Sequence, residues 1–156
     1  MRVAVAGTFG PLHDGHRAMF RAALERGDNG VVVGLASDRF AVASRRPDPR
    51  PLPPFEERRA ALETMLADLD EWDRDVEIRE FDDAYGFADD DPTLDALVVS
   101  PETDDLLEDI DRRREQRGMD ALEPVVVDHV LAEDGEPISS TRIVRGEIDE
   151  HGRLLE

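Results

Sequence analysis

The apolar positions of this chain fall into short runs and spaced stripes whose periods alternate. Arg2 to Ala6 is nearly all apolar and stops at Gly7, the pattern of a strand buried on both faces. From Gly15 to Arg26 the period changes. Ala18, Met19, Ala22 and Ala23 recur at helical spacing, and Gly27 supplies the stop. Val31 to Ala36 is a second buried strand. Pro47, Pro49, Pro51, Pro53 and Pro54 then make an Arg- and Pro-rich loop, too rigid and too poor in N–H donors for helix or sheet. Phe55 to Leu69 predicts an amphipathic helix with Phe55, Leu62, Met65, Leu66 and Leu69 on its apolar face. Val76 to Phe81 is a half-buried strand, followed by an acidic loop through Asp91. Ala96 to Ser100 predicts a fourth strand, Glu102 to Arg117 a charged helix, Val125 to Leu131 a fifth strand and Ser139 to Arg145 a short last helix.

Strands alternating with helices imply βαβ units and a parallel sheet covered on both faces. The expectation is α/β: a single Rossmann-like doubly wound domain over residues 1–156 with a five-stranded parallel sheet. Its ligand crevice should lie at the carboxyl ends of the strands. Runs such as Val3 to Ala6 and Val125 to Val127 fall far short of the roughly 20 residues that span a bilayer. No membrane partner, leader or second domain is expected, and a cytoplasmic location is.

Charge changes the picture of the surroundings. There are 38 Asp and Glu against 19 basic residues, a net −19, and every basic residue is Arg. That much self-repulsion is largely screened at 1 M salt, where the Debye length shrinks to about 3 Å. The balance predicts a halophilic protein that needs molar KCl, and it makes the basic patch that nucleic acid needs scarce, so no nucleic-acid partner is expected. Cysteine is absent, which removes thiolate nucleophiles and Cys-ligated metals. Two stretches run against the acidity. Residues 39–59 hold six arginines against three acids, and residues 139–146 hold Arg142 and Arg145 with no acid. Such islands suit a polyanionic ligand.

Candidate chemistry sits after the first and fifth strands. The turn Gly7-Thr8-Phe9-Gly10-Pro11-Leu12-His13-Asp14-Gly15-His16 leads into a helix whose N-terminal N–H groups favour phosphate. His13 and His16 can share one side of that helix start, donate to phosphate oxygens and gain charge beside an anion. A two-His metal site lacks a third ligand nearby, and Asp14 reads as the helix cap. Ile138-Ser139-Ser140-Thr141-Arg142 opens the last helix with three hydroxyls, which are ordinary caps or a second phosphate grip with Arg142 or Arg145 as a clamp. Arg112, Arg113 and Arg114 read as a solvated helix face, Asp89 to Asp91 as acidic surface and Trp72 as a packing anchor. His129, within the fifth strand, and His151, in the tail, carry no assigned role.

The G-T-F…L-H-D-G-H turn with I-S-S-T-R resembles the HxGH nucleotidyltransferase superfamily. Asp83-Ala84-Tyr85-Gly86 and the segment Asp95 to Thr103 resemble its phosphopantetheine adenylyltransferases of archaeal and eukaryotic type. The resemblance runs from about residue 2 to about residue 153. It implies adenylyl transfer from ATP to 4′-phosphopantetheine, with pyrophosphate released and Mg²⁺ carried on the ATP phosphates with few if any direct protein ligands. By the same resemblance His16, His13 and Arg142 are catalytic. Gly7, Thr8, Phe9, His13, Gly15, His16, Ser139, Ser140 and Thr141 hold ATP; Thr8, Arg45 and Arg46 hold the acceptor. The chain departs from the family at Gly10, where Asp is usual, at Val144, where Arg is expected, and in the loop after the second strand, where Arg replaces Lys. Flavin mononucleotide, nicotinamide mononucleotide or glycerol phosphate as acceptor is the rival chemistry. A catalytically silent nucleotide sensor is the rival class.

Overall fold

In the computed structural model β1 (Val3–Gly7) lies at the centre of a five-stranded, all-parallel sheet. Residues 1–44, 52–83, 87–100 and 104–155 are described. The sheet order is β3-β2-β1-β4-β5, from β2 (Val31–Ala36), β3 (Val76–Phe81), β4 (Ala96–Val99) and β5 (Glu123–Val126). The helices are α1 (Asp14–Arg26), α2 (Asp38–Ser44), α3 (Phe55–Leu69), α4 (Asp104–Gln116) and α5 (Ser140–Val144). The expected α/β architecture is present.

Alternate residues of the central strands serve two cores. Val3, Val5, Val31, Val33, Leu35 and Val98 pack with Phe20 and Leu24 of α1 and with Leu62, Leu66 and Leu69 of α3. Ala4, Val32, Leu97 and Val99 pack on the opposite face with Leu107 and Ile110 of α4. Burial on both faces is why these strands are continuous apolar runs rather than alternating ones.

Sequence direction reverses between β1 and β4, the switch point of the sheet. There the ladder is short: β1 pairs β4 only at Val3↔Ala96 and Ala4↔Leu97, whereas it pairs β2 as far as Gly7↔Leu35. The strands part toward their carboxyl ends, and a crevice opens where the topology places one.

Several elements differ from the pattern. β5 runs Glu123–Val126, not Val125 to Leu131, because the ladder with β4 starts at Ala96↔Glu123 and Pro124 is tolerated on an edge strand. Beyond Val127 the chain leaves the sheet, so His129 is not on a strand; Leu131 instead bridges Pro137. Helix α2 had no signal in the apolar stripe. Ser37 starts it, its Oγ accepting from the Phe40 N–H at 3.1 Å. Arg114 is not part of a solvated face. It is 2% exposed and donates to the carbonyls of Ala88, Asp91, Leu94 and Asp120, tying α4 to the loop ahead of β4. Nor is the Asp89–Asp91 run simply surface. Asp89 is buried against Arg113 and Arg117, and Asp91 meets Arg79 at 2.7 Å. Burial pushes the Asp91 carboxyl up, but the Thr93 hydroxyl and the Arg79 guanidinium outweigh it and hold it at about 2.

Candidate active site

A cavity of about 370 Å³ opens between the carboxyl ends of β1 and β4. Gly7, His13, Gly15 and His16 line it from the first strand and helix, Val99 and Ser100 from the end of β4, and Asp128 and His129 from the segment after β5. The two chain segments expected to meet do so. Ser140 Oγ on α5 donates to the Pro11 carbonyl at 2.7 Å, joining residues 129 positions apart.

The histidines are built into the start of α1. His13, not Asp14, is the N-cap: its Nδ1 accepts from the Gly15 N–H at 3.0 Å. His16 Nδ1 accepts from the His13 N–H at 3.3 Å, and the two rings stack with centroids 3.8 Å apart. A backbone N–H can only donate, so each Nδ1 presents a lone pair and Nε2 carries the ring proton. Burial pushes the His13 pKa down to about 4, with the Asp14 carboxylate opposing part of the shift. His13 therefore works as a neutral hydrogen-bond donor and does not gain charge at neutral pH.

Local geometry explains both motif glycines. A Cβ at Gly15 would stand 2.8 Å from His13 Cε1, so only glycine lets that imidazole fold back over the helix start. A Cβ at Gly7 would stand 2.9 Å from the Phe9 ring. Phe9 has a left-handed backbone (φ 51°), and its buried ring packs edge-on against His16 and Phe20. Expected among the ATP-binding residues, Phe9 buttresses the imidazole from within the core.

The last helix sorts its hydroxyls. Ser139 caps α5 by accepting from the Arg142 N–H at 3.2 Å, while Ser140 binds the first turn and Thr141 is half-buried. The Arg142 guanidinium is bonded to Asp134, to Glu147 at 3.3 Å and to the Pro137 carbonyl at 3.2 Å, which braces the segment around α5 rather than the cavity wall. Arg45 and Arg46 lie outside the described residues, as do residues 84–86 and 101–103 of the segments that carry the resemblance.

Three residues had no individual role in the sequence pattern, Arg58 being counted only as one of the six arginines of the 39–59 island. Arg58, on the polar side of the predicted α3 stripe, is 1% exposed and reaches the first turn. Its stem fills the space at Gly10, where a Cβ would stand 2.9 Å from Arg58 Cδ, so the place of the usual Asp is taken by this packing. His151 in the tail meets the Asp14 carboxylate at 3.1 Å, and the Glu150 carbonyl accepts from the Asp14 N–H. His129 lines the cavity.

Residues 4–146 match the cytidylyltransferase-like family. A phosphopantetheine adenylyltransferase of Methanosarcina barkeri is 42% identical over 98% of this chain and 92% of its own length. This chain belongs to that family. The phosphopantetheine adenylyltransferase of Archaeoglobus fulgidus is 38% identical over 99% of this chain and all of its own length. Among solved structures, an A. fulgidus protein described as of unknown function superposes with a TM-score of 0.70 at 33% identity, covering 82% of this chain and 90% of that one. Pantothenate synthetase from Thermus thermophilus shares the fold alone, with a TM-score of 0.55 at 18% identity over 90% of this chain and 60% of that one. Among the described residues no helix is long and apolar enough to cross a membrane, and no three acidic or histidine side chains cluster as metal ligands.

Proposed function

We propose that this adenylyltransferase moves the adenylyl group of ATP onto 4′-phosphopantetheine, giving dephospho-coenzyme A and pyrophosphate. The observation that carries the reading is the capped histidine pair. Both Nδ1 atoms are held by backbone N–H groups, so both Nε2–H donors belong to the mouth of α1 on the cavity wall. Such donors, at the positive end of the α1 dipole, favour phosphate oxygens without needing a charged imidazole.

The chemistry demands little else. A phosphate oxygen of 4′-phosphopantetheine, already ionised, attacks the α-phosphorus of ATP. The bond from that phosphorus to the α,β-bridging oxygen breaks, and the electron pair leaves with pyrophosphate. No general base or covalent nucleophile is needed, so positioning and charge stabilisation carry the rate. ATP arrives as its Mg²⁺ complex. His16 steadies the α-phosphate, and His13 with Gly7, Gly15 and the Ser139–Thr141 segment holds the ATP phosphates. Thr8 orients the acceptor phosphate, and Arg45 and Arg46 supply cations in the loop after β2. Arg142 serves as a catalytic cation only by exchanging Asp134 for phosphate.

The test is pyrophosphate release in molar KCl with Mg²⁺ and ATP against four acceptors: 4′-phosphopantetheine, nicotinamide mononucleotide, flavin mononucleotide and glycerol 3-phosphate. Turnover with 4′-phosphopantetheine alone is expected. Turnover with another acceptor keeps the mechanism and overturns the substrate. ATP binding without any turnover favours the silent sensor.

A further inference from the structure

Arg58 is an arginine that α3 sends away from water. Four of the five N–H donors of a guanidinium have acceptors: Nε meets the Pro53 carbonyl at 2.9 Å, Nη1 the carbonyls of Thr8 and Ala36 at 2.9 Å each, and Nη2 Asp38 Oδ1 at 2.8 Å. Ala36 ends β2, and Thr8 follows the last residue of β1. Asp38 opens α2 and Pro53 lies just ahead of α3. One planar cation thus fixes the exits of two adjacent strands and both flanks of the excursion between β2 and α3. The site built on His13, His16 and α5 has other supports: the caps within α1, the Phe9 ring and the Ser140–Pro11 bond.

We infer that Arg58 is a positioning residue for the acceptor half of the reaction: by holding the Thr8 and Ala36 carbonyls it sets where the acceptor phosphate is received, and it leaves the ATP half to the histidines. This rests on the adenylyl-transfer reading above. A lysine at position 58 keeps the charge but not the fork, and cannot gather four acceptors in one plane. The strand exits then relax relative to each other, the place that receives the acceptor phosphate shifts, and the acceptor binds more weakly while the ATP side keeps its supports.

The experiment is initial-rate kinetics of native protein and Arg58→Lys in molar KCl, with KM measured separately for 4′-phosphopantetheine and ATP and folding followed by thermal melting. The acceptor KM should rise about tenfold or more while the ATP KM stays within about twofold, as expected when binding is weakened on one side only. Loss of folding alone would lower the active fraction and kcat and leave both KM values in place. An acceptor-to-ATP split below about threefold overturns the assignment. If Arg58→Lys does not fold, Asp38→Asn reads the same split, because Asp38 is 59% exposed and its loss frees only one arm of the fork. A split of about threefold is expected there, and none overturns the proposal. Native protein that fails to turn over 4′-phosphopantetheine refutes the functional reading instead. Native turnover with no split in either variant refutes Arg58 alone.

Discussion

Acid should weaken this protein through one imidazole before its carboxylates begin to titrate. His13 is 7% exposed, its Nδ1 is committed to the Gly15 N–H, and its pKa is pushed down from 6.5 to about 4. The folded chain keeps this ring neutral down to about pH 4, while the unfolded chain protonates it near 6.5. Between those values unfolding takes up a proton, so stability falls as pH falls. Each pH unit below the unfolded value costs about 1.4 kcal/mol. The loss between pH 7 and pH 5 is therefore about 2 kcal/mol, or roughly 4–8 °C in Tm for a chain of this length. It levels off at about 3 kcal/mol once the folded ring also titrates.

The control is His13→Asn, which keeps a capping side-chain oxygen and cannot titrate. Both proteins are unfolded with denaturant at pH 7 and pH 5 in the same KCl. All other titratable groups are present in both proteins. Native protein should lose about 2 kcal/mol more than the variant on going to pH 5. Equal losses would mean that His13 is not held neutral, and the reading of its ring as an uncharged donor would fall with it.

Two further outcomes follow from the same geometry. His16→Ala should lower kcat by about a hundredfold or more, the scale of losing one donor to developing charge; in pyrophosphate-release assays an unchanged rate removes His16 from the mechanism. Raising KCl from 0.1 M to 2 M should raise Tm, because a net −19 repels itself most at low salt; a salt-indifferent melting curve would sink the halophilic reading.

The strands were legible because burial on both faces leaves an unmistakable signal, and β2, α3 and β3 fall within their expected limits. The fifth strand was misplaced because an apolar residue lining a cavity, such as Val127 or Val130, looks in sequence like one buried under a helix. The motif residues were legible as a constellation, but their roles at the helix start were not. Asp14 is the better cap by residue type, yet its carboxylate faces His151 while an imidazole takes the cap, which Gly15 permits by offering no Cβ. The buried arginines were invisible for a different reason. Their partners are mostly backbone carbonyls, which every sequence has and no sequence displays, so Arg58 read as one of a basic island and Arg114 as part of a solvated helix face.

That blindness bears on how an all-arginine chain keeps its site in order when salt is high. Exposed pairs such as Arg17–Asp68 at 3.3 Å and Arg21–Glu71 at 3.9 Å face water on both partners, where molar salt screens them to almost nothing. Arg58 and Arg114 are out of reach of that screening, at 1% and 2% exposure. Each gathers acceptors from segments that are far apart in sequence, a task for a rigid fork rather than a flexible ammonium. Arg58 does this at the strand exits beside the cavity, and Arg114 does it beneath the loop that delivers β4 to the same cavity. The frame of the cavity therefore rests on buried guanidinium–carbonyl bonds, and the surface ion pairs can be weakened by salt without moving its walls.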